Sequence, residues 1–131
     1  MSQADKLERS SQFRIKLLGT PALMWQGGAF PLARKQARAL IYVLGETLKP
    51  VSRDQLIFLF WPDSPEIAAR RNLSRLLSYV RKVLPHPQLL QINKESIAMN
   101  PALVWSDTGH FSQLAQRESP INQEAMAALY D

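Results

Sequence analysis

WPDSPEIAARRNLSRLLSYVRKVL, residues 61–84, reads as one helix with a dry face and a basic wet one. At 100° per residue, Ala69, Leu73, Leu76, Leu77, Val80 and Leu84 fall in one apolar sector. On the opposite side Arg71, Arg75, Ser78 and Lys82 recur at i, i+4, i+7 and i+11. Such a stripe can follow a phosphate-lined groove while presenting polar side chains to base edges. An ordinary solvated helix can be basic too, so the stripe takes its meaning from its neighbours. Ser64 is the predicted N-cap with Pro65 at the first helical position, giving a helix over 65–84 that Pro85 ends.

Upstream, Arg34 to Leu48 has helical periodicity, with Ala37, Leu40, Ile41, Leu44 and Leu48 on one side and Lys49-Pro50 as its stop. Ser52 and Gln55 have capping-box spacing and open a second helix through Phe60. That helix is so apolar (Leu56, Ile57, Phe58, Leu59, Phe60, Trp61) that it is expected to lie buried between neighbours. Before these helices, Phe13, Ile15 and Leu17 alternate with Arg14 and Lys16, which is strand periodicity. Ala22–Gln26 and Ala29–Leu32 read as two more short strands around a Gly27-Gly28 turn. After the basic helix, Leu90 and Ile92, then Ile97 and Met99, alternate on either side of Asn93-Lys94-Glu95, a hairpin pattern over 89–100.

Length and composition set the bounds. A chain of 131 residues, 46% hydrophobic, can bury one core but not two full ones. It has no cysteine, so disulfides and Cys-ligated metals are excluded. The polar N-terminus lacks the apolar segment of a signal peptide, and no apolar run approaches bilayer length. A cytoplasmic protein that does not enter a membrane is expected. The net charge of +5 is unevenly spread. Residues 1–83 hold 14 Lys/Arg against 6 Asp/Glu, a balance of +8, and residues 84–131 hold 2 against 5, a balance of −3. Such asymmetry points the first part at a polyanion, with nucleic acid ahead of an anionic membrane surface.

Enzyme signatures are missing. There is no glycine-rich phosphate loop, GxSxG or HExxH, and His86 and His110 lack metal-ligand spacing. Neither catalysis nor a cofactor or metal is expected.

Small sheet, helix, capped short helix, basic helix and hairpin are the parts, in order, of a winged helix-turn-helix. The expected fold is therefore α+β: a three-stranded antiparallel N-terminal sheet, three helices and a C-terminal β-hairpin wing. In such a fold the third helix enters the major groove and the hairpin lies across the adjacent backbone. A sheet preceding the first helix is the arrangement of bacterial response regulators.

Two runs carry the resemblance further: LARKQARALIYVL, and VSRDQLIFLFWPDSPEIAARRNLSRLLSYVRKVL with LLQINKESIAMNPALVWSDTGHF after it. From Phe13 to Phe111 the chain resembles the DNA-binding domain of the Streptomyces antibiotic regulatory protein family, which precedes a helical bacterial transcriptional activation domain. The resemblance implies a leader over 1–12, a DNA-binding domain over 13–106 and, over 107–131, the start of a helical domain inside which the chain stops. It also implies sequence-specific binding of double-stranded DNA by a transcription regulator, with pairs of copies on tandem repeats. The loop around Trp61-Pro62-Asp63 is implied to face RNA polymerase, including its sigma subunit.

Carried onto this sequence, the family's contacts fall on Arg71, Asn72, Arg75, Ser78, Tyr79 and Lys82. Mid-stripe Arg75 and Ser78 are assigned to base edges, since arginine pairs bidentately with guanine. Arg71, Tyr79 and Lys82 are assigned to phosphates, which set register without reading sequence. Arg53, at the start of the second helix, and Lys94, the one cation of the hairpin tip, are candidate backbone contacts, as are Arg34 and Lys35. Arg81 is expected on the helix flank, paired with an acid, and Trp25, Trp61 and Trp105 in the core. The alternative is a protein-interaction module whose basic helix docks an acidic partner. RNA binding ranks third, without RNP-like aromatics or a GXXG clamp.

Overall fold

A computed structural model describes residues 12–110, an α+β arrangement of two small sheets and three α-helices around one core. In chain order the elements are β1 (Phe13–Lys16), β2 (Ala22–Trp25), β3 (Gly28–Ala29), α1 (Lys35–Gly45) and β4 (Val51–Ser52). These are followed by α2 (Arg53–Phe60), α3 (Glu66–Val83), a 3-10 turn (Pro87–Leu89), β5 (Leu90–Ile92), β6 (Ser96–Met99) and β7 (Val104–Ser106). The expected leader over 1–12, apart from residue 12, and the expected helical pattern beyond 110 lie outside the described residues; within them, 107–110 are helical.

The alternation in β1 buries Phe13 and Ile15 and leaves Lys16 outside. β2 pairs antiparallel with β1 (Ile15 opposite Leu23) and with β3 (Trp25 opposite Gly28). The turn residues are Gln26 and Gly27, not the expected Gly27-Gly28. Both have positive φ, 53° and 81°, as a two-residue hairpin turn of matching twist requires. The N-terminal sheet also departs from the expected three antiparallel strands. β7 joins it as a fourth, parallel to β1 with Phe13 opposite Val104, giving the order β3-β2-β1-β7.

Asp107 locks this junction. Its carboxylate accepts hydrogen bonds from the N–H groups of Leu17 (2.9 Å), Leu18 (3.0 Å) and Thr108 (2.8 Å). Partial burial pushes its pKa up, but these N–H donors outweigh that and hold it below the ordinary carboxylate value. A depressed folded pKa means stability that is present above the unfolded value near 3.9 and is lost as pH falls through the folded one. Asp107→Asn is therefore expected to flatten the acid limb of a urea-midpoint-against-pH curve. An unchanged limb would show that another group sets it.

α1 buries Ala37, Leu40, Ile41 and Leu44, as its periodicity implied. It ends at Gly45, short of Leu48, because the chain turns through Leu48 at φ 59° ahead of Pro50. Gly45 permits a close approach, since a Cβ there would lie 2.6 Å from Ile15 Cδ1 and 3.1 Å from its Cγ2. α2 starts where the sequence placed it, with Ser52 Oγ accepting from the Gln55 N–H at 3.0 Å. Its burial is the clearest correction: only Leu56 is fully buried, while Phe58 is 72% and Leu59 56% exposed. An eight-residue helix packed along one side cannot bury six consecutive apolar residues.

α3 runs over 66–83, one residue shorter at each end than expected. Its N-cap is Pro65, with no side-chain cap, so Ser64 does not take the assigned role; the Ser64 N–H donates to the Trp61 carbonyl at 3.3 Å. Ala69, Leu73, Leu76, Leu77 and Val80 are buried as the wheel placed them. β5 and β6 form the antiparallel pair anticipated over 89–100, with Leu90 opposite Met99. β4, unanticipated, pairs with β6 (Val51 opposite Ile97) and completes a second sheet of order β4-β6-β5.

Candidate nucleic-acid interface

The exposed face of α3 is built by subtraction. Its inner sector is seated on the core shared with α1, α2 and both sheets. What remains outside in a line is Arg71, Arg75, Ser78 and Lys82, all exposed. The only ion pairs among the described residues are those of Arg70, with Glu66 at 2.9 Å and Asp54 at 3.2 Å. None of the three cations of the stripe is thus neutralised by a described carboxylate. Arg81 and Lys82 also occupy the last turn, where the helix dipole favours positive charge.

The remaining candidates sit on two flanks. Asn72 and Tyr79 are half-buried and face the start of α1. The Arg34 guanidinium lies 4.7 Å from the Tyr79 ring centroid, so this tyrosine is engaged by a cation. Arg34, Gln36, Asn72 and Arg75 line a polar hollow there, with Trp61 and Leu76 beneath. This gathers two cations and two side-chain amides beside the stripe, and Gln36 was not among the residues singled out from the sequence.

On the other flank, Arg53 and Lys94 line a cleft with Arg70 and Ser74. Arg53 Nε donates to the Asn93 carbonyl at 3.0 Å and its N–H to the Glu95 carbonyl at 2.9 Å. Asn93 Oδ1 in turn accepts from the N–H groups of Glu95 (3.1 Å) and Ser96 (2.8 Å). The hairpin tip is thereby fastened to the start of α2, and Lys94 shares the cleft with Arg70 and Ser74 on the flank of α3. Arg70 and Ser74 were missed, although they stand one residue before Arg71 and Arg75 and share their spacing. The Glu66 hydrogen bond and charge, then the Asp54 charge, raise the Arg70 pKa, so it is a constant cation.

Two further expectations need correction. Arg81 does lie at the flank, but its Nη2 donates to the Leu90 carbonyl at 3.4 Å instead of pairing with an acid. Trp25 and Trp61 pack against the core, whereas Trp105 lies outside it, with the Arg14 guanidinium 4.3 Å from its ring centroid and His110 at 6.0 Å.

Among the described residues no group of three His, Asp or Glu side chains is placed to hold a metal. Nor is any helix among them long and apolar enough to cross a membrane. No protein-family model matches the chain, and a search of curated proteins finds no significant relative.

Proposed function

We propose that the chain binds double-stranded DNA as a winged helix-turn-helix of the response-regulator type, within a bacterial transcription regulator. α3 enters the major groove, and the β5–β6 hairpin lies as a wing against the neighbouring backbone. One observation carries the reading: an exposed stripe of three cations with no carboxylate partner among the described residues, directly opposite the buried face of the helix. Arg75 and Ser78 address base edges, and Arg71 and Lys82 address phosphates. The hollow at Arg34, Gln36 and Asn72 and the cleft at Arg53, Arg70 and Lys94 flank the helix, where the two backbones bordering a major groove would run. Tandem binding by two copies follows from the family resemblance.

Arg75→Ala tests the assignment of roles. It is expected to cost about 1–3 kcal/mol and to relax preference at a single base pair, leaving the rest of the site as selective as before. A uniform loss across all sequences would make Arg75 a phosphate contact.

A protein partner is supported by a separate observation. Phe58, Ile57, Trp61 and Pro62 line a groove edged by Asp54 and Glu66, away from the basic stripe. Phe58, 72% exposed above half-buried Ile57 and Trp61, suits a partner with an apolar anchor. We propose RNA polymerase, through its sigma subunit, as that partner. The competing idea, a basic helix docking an acidic protein, predicts salt-sensitive binding with no preference among duplex sequences.

A further inference from the structure

Ile67 is the most exposed of the large apolar side chains described, at 76%. It stands in the first turn of α3, four residues before Arg71, seven before Ser74 and eleven before Ser78. That spacing places it at the head of the basic stripe, on the same sector of the helix. An isoleucine left in water at the end of an otherwise polar reading face has no role in the fold, since the inner sector of α3 is filled by Ala69, Leu73, Leu76, Leu77 and Val80.

The edges of the major groove are lined by hydrogen-bonding atoms and one apolar group, the 5-methyl of thymine. Arginine and serine answer the first; only an apolar side chain answers the second. Helix-turn-helix recognition helices contact bases from their N-terminal turn, so the first turn of α3 is a suitable place for a contact beside those of Arg75 and Ser78. A β-branched side chain is stiff about χ1 and loses little freedom on seating against a methyl.

We infer that Ile67 is a specificity-determining residue that selects thymine through its 5-methyl group. The assignment rests on the DNA-binding reading above. Ile67 and Arg75 are eight residues apart, or about 12 Å along the helix at 1.5 Å per residue. With base pairs stacked about 3.4 Å apart, the selected thymine lies within about four base pairs of the pair read by Arg75.

The test uses the full chain and its selected duplex, with each thymine in turn replaced by deoxyuridine, which lacks only the methyl. Loss of one buried methyl is expected to weaken wild-type binding about three- to fivefold at one or two positions within that span. Ile67→Ala should bind the thymine and uracil duplexes equally, while Arg75→Ala keeps the difference between them. As an exposed residue, Ile67 can be changed without disturbing the fold, which an unaltered thermal midpoint would verify. A wild-type protein indifferent to every such replacement overturns the assignment. So does an Ile67→Ala variant that still distinguishes the two duplexes, which would show that another residue meets the methyl group. Either result leaves DNA binding standing, whereas failure to select any duplex removes both proposals.

Discussion

Replacing Arg71 and Lys82 together by alanine is expected to weaken duplex binding roughly thirtyfold at 0.15 M salt and to lower the slope of log K against log[salt] by about 1.8. Each cation on a phosphate releases about 0.9 of a condensed counterion, so two lost contacts change both the affinity and its salt dependence by linked amounts. Both side chains are exposed and neither pairs with a described carboxylate. The variant should therefore keep its stability to within about 0.5 kcal/mol. A slope unchanged from wild type would mean that these residues do not face phosphates, whatever happens to the affinity.

Leu73→Ala should produce the opposite pattern. Leu73 lies in the middle of the buried face of α3 and is 1% exposed. Removing its side chain leaves a cavity beneath the proposed reading face, at an expected cost of about 2–5 kcal/mol. Against a typical stability of about 5–15 kcal/mol this is a large fraction, so the urea midpoint should fall steeply. Duplex affinity should fall only as far as the folded fraction does, with the salt slope of the remaining folded protein intact. A loss below about 1 kcal/mol would show that α3 is not seated through this residue. Together the two variants separate the face that would meet DNA from the face that supports it.

The parts legible in the sequence are those in which one helix carries its own contrast. α3 declares both faces because Leu73, Leu76, Leu77 and Val80 oppose Arg71, Arg75, Ser78 and Lys82 within eighteen residues. The Ser52 cap and the β5–β6 alternation are equally local. In α2 an unbroken apolar run says how much could be buried but not which side is, and Phe58 and Leu59 stay outside the core.

Non-local features stayed hidden. β4 has two residues, too few to alternate, and is defined by pairing with β6. β7 reaches β1 across about ninety residues of chain, a separation also spanned by the Asp107 contacts to Leu17 and Leu18. Nothing in the helix of Tyr79 announces that Arg34, from another element, lies against its ring. Ile67 differs again: on a helical wheel it is one apolar residue among polar ones, and its exposure in the fold is what makes it a candidate contact.

Selection of bound duplexes from a random pool by the full chain decides whether α3 reads duplex sequence. One short motif should be enriched, containing a guanine whose preference disappears when the selection is repeated with Arg75→Ala. A retained pool that stays random would reduce the stripe to nonspecific polyanion binding, and no retained duplex at all would mean that the chain does not bind DNA.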